Sequence, residues 1–131
     1  MPEVIRVLVI ENQDTVHRAL LLFFRAFPDL RLVAKVRTCR EAIKLCAVHR
    51  PHVVLIDLQT LEAGGHEGVR RLCAAHPRIH LVGLTNSTGQ TQRSEAFAAG
   101  IEDVIIKDAS IDTLAMAIRH AVDAEPIASG R

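Results

Sequence analysis

Tryptophan and tyrosine are absent, and phenylalanine occurs only four times. An aromatic platform for stacking bases is therefore not expected. No apolar run approaches the ~20 residues needed to span a bilayer. The longest, such as Val7 to Ile10 and Val53 to Ile56, have the length of buried strands. A charge excess is missing too: 16 Lys and Arg stand against 15 Asp and Glu, a formal net charge of +1. That balance argues against a chain whose main business is nucleic acid or an anionic membrane. The three cysteines, Cys39, Cys46 and Cys73, are odd in number and include no Cys-x-x-Cys pair. They read as reduced thiols of a cytoplasmic protein, with Cys39 and Cys46 as small buried hydrophobes. Met1-Pro2-Glu3-Val4 has no basic segment and no cleavage site, so no secretory signal is expected. No Gly-x-Gly-x-x-Gly follows the first apolar run, and Glu11 to Thr15 lacks a Ser/Thr/Gly-rich phosphate cradle. Both absences argue against a dinucleotide or flavin carrier.

What is present fits one domain in 131 residues. Val4 to Ile10 is a strand-like run that stops at Glu11-Asn12. From Thr15 to Phe27, apolar residues recur at three- and four-residue spacings, as on an amphipathic helix. Arg31 to Arg37, apolar in its middle and charged at both ends, resembles an edge strand. Thr38 is a candidate N-cap for a helix carrying Ala42, Ile43 and Cys46. Val53-Val54-Leu55-Ile56 has the unbroken apolar character of a strand buried on both faces. A loop with Gly64-Gly65 follows, then a helix from about Glu67 to Ala75. Ile79 to Leu84 reads as a further strand, and Asn86 to Gly89 as a turn. A helix from about Thr91 to Ala99 ends at Gly100, a C′ glycine. Val104 to Ile106 is a short strand, and the last helix carries Leu114, Ala117, Ile118, Ala121 and Val122. Five strands alternating with five helices predict a parallel sheet covered on both faces.

Four of the five strands end in a polar residue: Glu11, Asp57, Thr85 and Lys107. In an open parallel sheet those ends share one edge, where ligands bind. The four groups suit phosphoryl transfer to a carboxylate. Asp57 would be the nucleophile and form an acyl phosphate. A divalent cation, held in part by Glu11, would offset the negative charge. Lys107 would pair with Asp57 before reaction and with a phosphoryl oxygen after it. The Thr85 hydroxyl would donate to another phosphoryl oxygen.

These motifs resemble the receiver domain of bacterial two-component response regulators, nearest the NarL/FixJ (LuxR-type) group. The matching segments are Arg-Val-Leu-Val-Ile-Glu (6–11), Pro-His-Val-Val-Leu-Ile-Asp-Leu (51–58), Gly-Leu-Thr (83–85) and Ala-Gly-Ile-Glu-Asp-Val-Ile-Ile-Lys-Asp-Ala-Ser (99–110). The resemblance implies an α/β, flavodoxin-like (βα)5 fold with strand order 2-1-3-4-5. It also implies phosphorylation of Asp57 by a sensor histidine kinase and Mg2+ held by Glu11, Asn12, Asp57 and the Gln59 backbone carbonyl. Residues 1–123 would form the receiver. Residues 124–131 would be a linker toward a DNA-binding output domain absent from this chain. A homodimer is implied, with DNA contact only through that output domain and no membrane contact.

The sequence departs from the family pattern at three places. Where the family has two acids in a row, this chain has Glu11-Asn12. Asn12 offers an amide oxygen without charge, and a residual ~1.4 kcal/mol would weaken Mg2+ about tenfold. The loop Thr60-Leu61-Glu62-Ala63-Gly64-Gly65 lacks the family's proline and is expected to be more mobile. The aromatic switch residue, which in the family turns inward as the threonine moves, is Val104 here. Together these support an alternative, an atypical receiver acting as a phosphorylation-independent dimerisation or partner- and ligand-binding module. The seven histidines offer no zinc-ligand spacing and read as surface or cap residues. Helix phase alone puts His17 near the pocket edge. Arg70-Arg71 reads as a solvated pair rather than a nucleic-acid patch.

Overall fold

The computed structural model describes residues 3–61, 65–86, 89–107 and 110–123. Five strands and five α-helices alternate along the chain. They are β1 (Ile5–Ile10), α1 (Asp14–Ala26), β2 (Leu30–Val36), α2 (Cys39–His49), β3 (Val53–Asp57), α3 (Gly65–Ala75), β4 (His80–Thr85), α4 (Gln90–Ala99), β5 (Asp103–Ile106) and α5 (Ile111–Asp123). The strands form one parallel sheet in the order β2-β1-β3-β4-β5. No described helix is long and apolar enough to cross a membrane.

Period-two alternation sorts the central strands onto two cores. Leu8, Ile10, Val54, Ile56 and Leu81 face α2, α3 and α4, where they meet Ala42, Cys46, Val69, Leu72, Ala96 and Ala99. Val7, Val9, Val53, Leu55, Val82 and Leu84 face α1 and α5, where they meet Leu20, Phe23, Phe24, Ala115 and Ile118. Every residue of β3 is buried, as its unbroken apolar run requires. β2, at the sheet edge, is only partly buried and takes a register shift against β1 between Val7 and Leu8.

Several helix ends are set locally. The Thr38 hydroxyl accepts the Glu41 N–H at 3.1 Å, capping α2. Gly100 ends α4 at φ +120°, and a Cβ there would lie 2.7 Å from Cys73 Sγ. Cys39 and Cys46 are buried in the α2 side of the core, as small hydrophobes. Most boundaries differ from the patterned stretches by one residue, and the start of α3 by two. α3 begins at Gly65, two residues before the patterned stretch, and β4 begins at His80 because Ile79 N–H closes a turn onto the His76 carbonyl at 3.2 Å. Leu58–Leu61, read as loop, is a single 3-10 turn. Leu58 and Leu61 are buried, and the Thr60 hydroxyl donates to the Asp57 carbonyl at 2.7 Å. The rest of that loop (Glu62, Ala63, Gly64), Ser87 and Thr88 of the turn before α4, Asp108-Ala109 and the linker 124–131 lie outside the described residues.

The histidines need a correction. His80 Nδ1 lies 2.9 Å from a Glu102 carboxylate oxygen, and the two side chains are only 11% and 18% exposed. His52 Nδ1 accepts the Arg6 backbone N–H at 2.9 Å, and His76 Nε2 lies 2.9 Å from the Ile43 carbonyl. His52 and His80 tie strand ends together and His76 ties the end of α3 to α2, contacts that only tertiary packing makes visible. Arg70 and Arg71 are exposed and pair with Glu67 at 3.6 and 3.5 Å, a solvated face as expected.

Candidate functional site

Register gathers the polar strand ends. Ile10 lies opposite Ile56, so Glu11 comes level with Asp57. Asp57 itself lies opposite Leu84, one residue before Thr85. Thr85 lies opposite Ile106, and the Lys107 N–H donates to the Thr85 carbonyl at 2.8 Å. The Glu11 N–H is likewise held by the Val36 carbonyl at 2.8 Å. The sheet therefore fixes the backbone under all four side chains.

Asp57 and Glu11 are each 1% exposed at this edge. Lys107 Nζ donates to Asp57 Oδ2, and the Gln59 N–H donates to Oδ1 at 2.9 Å. Lys107 is 20% exposed, so its charge reaches both the buried carboxylate and the opening of the pocket. Glu11 Oε1 accepts the Gln13 N–H at 2.6 Å. Burial, and next a hydrogen bond with Asp57, push the Glu11 carboxyl up to about 7. Near neutral pH this carboxyl therefore shares its time between a neutral form, whose proton bridges to Asp57, and an anion that Lys107 alone cannot offset.

That excess of negative charge is what a divalent cation relieves, and the donors suit a hard, oxygen-seeking ion. The carboxylates of Glu11 and Asp57 are both buried at this edge, and Asn12, next to Glu11 in the chain, is exposed. Among the described residues no group of three or more His, Cys, Asp or Glu side chains is placed to hold a metal. A bound ion would thus depend on neutral oxygens and water for the rest of its shell.

Thr85 is brought to the same edge but turned differently. Glu11, Asp57 and Lys107 are in phase with Val9, Leu55 and Ile105, which pack toward α1 and α5. Thr85 is in phase with Leu81, which packs toward α2, α3 and α4. Its hydroxyl donates to Gln92 Oε1 on α4 at 2.6 Å. Gln92 was not legible as a site residue: the contact depends on the path of the turn between β4 and α4. Gln13 was missed for a similar reason, and its side-chain amide reaches Gln59 Oε1 at 3.3 Å. Val104 is 3% exposed and packed in the α2–α4 core beside the site. The side chain of His17 lies outside the described residues.

A buried carboxylate held by a lysine, with a second acid beside it and a hydroxyl nearby, can take up a phosphoryl group. Comparison with known proteins points the same way. The family model described as "Response regulator receiver domain" matches residues 7–119. The chain is 27% identical over 122 residues to the transcriptional regulatory protein LiaR of Bacillus subtilis, covering 93% of this chain and 58% of that protein. It is 25% identical over 114 residues to the transcriptional regulatory protein LnrK of the same organism, covering 87% of this chain and 52% of that one. The chain thus spans about half the length of the curated relatives it matches. A LuxR-family two-component response regulator from Aurantimonas superposes with a TM-score of 0.82 at 22% identity, covering 92% of this chain and 86% of that one. At that identity the likeness speaks to the fold alone.

Proposed function

The chain belongs to the response regulator receiver domain family, and from that premise we propose that it is a switch operated by phosphorylation of Asp57. The observation that carries this reading is the Asp57 carboxylate, 1% exposed and held at one oxygen by Lys107 and at the other by the Gln59 N–H. A carboxylate gripped this way presents its oxygens in a fixed direction, so little orientation remains to be found in the transition state.

The donor we assign is a phosphohistidine of a sensor histidine kinase. An Asp57 oxygen attacks phosphorus, and the P–N bond breaks. Its electron pair goes to the imidazole nitrogen, which takes a proton from water. Lys107 shifts from the carboxylate to a phosphoryl oxygen as charge moves outward. Thr85 turns its hydroxyl toward a second phosphoryl oxygen. Mg2+, when bound among Glu11, Asn12, Asp57 and the Gln59 carbonyl, supplies neutralisation of the crowded oxygens. Hydrolysis of the acyl phosphate returns the carboxylate and releases inorganic phosphate, so the chain resets a signal rather than turning over a metabolite. To act as a switch, the acyl phosphate must favour one of two packings by a few kcal/mol.

LiaR and LnrK, two relatives that cover most of the chain, carry the words "transcriptional regulatory". We therefore assign residues 1–123 to the receiver and 124–131 to a linker toward a DNA-binding output domain. Phosphorylation would change homodimer or output contacts. The described cysteines are all free thiols, which supports a cytoplasmic setting. The alternative, a phosphorylation-independent dimerisation or binding module, draws on Asn12 and on the fixed Val104.

The test is phosphate-affinity gel mobility after incubation with acetyl phosphate, with and without millimolar Mg2+, beside Asp57→Asn. A Mg2+-dependent shift lost in Asp57→Asn supports the switch. No shift in the native protein, with one restored by Asn12→Asp, would sink it in favour of the phosphate-independent module.

A further inference from the structure

We propose that Gln92 is a latch for Thr85: it holds the hydroxyl in a resting orientation, so that α4, rather than an aromatic side chain at position 104, registers the state of Asp57. The proposal rests on the reading of Asp57 as a phosphoryl acceptor.

The first support is chemical exclusivity. A threonine hydroxyl has one proton and can donate it to one acceptor at a time. The Thr85 hydroxyl gives it to Gln92 Oε1 at 2.6 Å. Donation to a phosphoryl oxygen on Asp57 therefore requires the Gln92 bond to break. Thr85 is 1% exposed, so bulk water is poorly placed to take over the lost partner, and the exchange is felt as a competition between two acceptors.

The second support is where Gln92 sits. The next residue, Arg93, donates from Nη2 to the Val104 carbonyl at 3.2 Å. Two adjacent residues at the start of α4 thus tether the helix to β4 at Thr85 and to β5 at Val104. The apolar hold on this helix is slight, since the buried residues of α4 are only Ala96 and Ala99. By contrast α1 buries Leu20, Phe23 and Phe24, and α3 buries Val69 and Leu72. A helix with little apolar area against the core depends more on its polar tethers. Releasing Gln92 removes one of the two at the start of the helix.

The third support is Val104 itself. It is buried and β-branched, with a strongly restricted χ1, so it has no rotameric swing to offer. Movement of Thr85 must be communicated by another neighbour, and Gln92 accepts the proton of its hydroxyl.

The variant is Gln92→Met, which keeps length and removes both polar atoms. Two readouts are taken. The Thr85 χ1 distribution is measured by methyl-detected NMR couplings in unmodified protein. Beryllofluoride affinity is measured with millimolar Mg2+. We expect Gln92→Met to redistribute Thr85 χ1 and to tighten beryllofluoride by about 3- to 10-fold, the worth of one hydrogen bond. In a Thr85→Val background the same substitution should leave the affinity unchanged. An unaltered Thr85 rotamer, or an equal effect in the Thr85→Val background, would overturn the latch. Failure of the native chain to bind beryllofluoride would instead overturn the Asp57 reading, while the rotamer measurement still judges the hydrogen bond.

Discussion

Replacing Glu11 with glutamine gives the sharpest test of the pocket's electrostatics. The Glu11 carboxyl is pushed from an ordinary 4.5 to about 7, first by burial and then by its hydrogen bond with Asp57. One pKa unit corresponds to about 1.4 kcal/mol, so the displacement amounts to roughly 3 kcal/mol. The sign follows from proton counting. Between pH 4.5 and about 7 the native chain holds a proton that the unfolded chain has released. Stability is therefore greatest below the unfolded value and falls as pH rises through this window, levelling off above it. The amide introduced by Glu11→Gln keeps the shape and the donor of the protonated acid but never ionises. Urea unfolding at pH 5 and pH 8 with chelator present should show the variant gaining on the native chain by about 2–3 kcal/mol between the two conditions. His52, pulled down first by burial and then by Arg6, contributes in the opposite direction, but it is present in both proteins and cancels. Adding Mg2+ at pH 8 should restore the native chain and leave the variant unmoved. A native-to-variant difference that is the same at both pH values would refute the assignment of a proton to Glu11.

Asn12→Asp adds a charge at the rim of the same pocket and should strengthen Mg2+ about tenfold, read as a shift in the Mg2+ dependence of acetyl phosphate uptake. An unchanged midpoint would mean that residue 12 stays out of the metal shell. Lys107→Met leaves Asp57 buried without its cation and should destabilise the fold by about 1–3 kcal/mol at pH 8, with Asp57→Asn in the same chain recovering most of the loss. A double variant no more stable than Lys107→Met would count against the pair. Gly100→Ala places a Cβ at φ +120° and 2.7 Å from Cys73 Sγ. It should cost about 1–3 kcal/mol in guanidinium unfolding, and a loss near zero would show that the α4 C-terminus can adopt another ending.

Much of the fold was legible because its signals are local. The apolar run at Val53 to Ile56 implied a strand between two cores, and its residues divide alternately between them. Thr38 and Gly100 marked helix ends through their own chemistry, a side-chain acceptor and a missing Cβ. The strand order came with the family resemblance rather than from periodicity, because alternation gives parallel pairing without saying which strand lies next to which. His52, His76 and His80 were misjudged for a related reason, while His49 and His120 are exposed as expected. His80 and Glu102 lie 22 residues apart, and only the pairing of β4 with β5 brings them together.

The sequence by itself determined that Glu11, Asp57, Thr85 and Lys107 stand at strand ends and therefore at one edge of a parallel sheet. Hydrophobic periodicity and chain direction suffice for that. The tertiary structure decided how each group is spent. Packing buried Glu11, and register set it beside Asp57; burial first and that hydrogen bond second drive its carboxyl up to about 7. It delivered Lys107 to one Asp57 oxygen and left the other to the Gln59 N–H. The phase of β4 turned Thr85 away from Asp57 toward Gln92. Those outcomes depend on distances between side chains from different elements, which hydrophobic pattern and propensity do not encode and packing does.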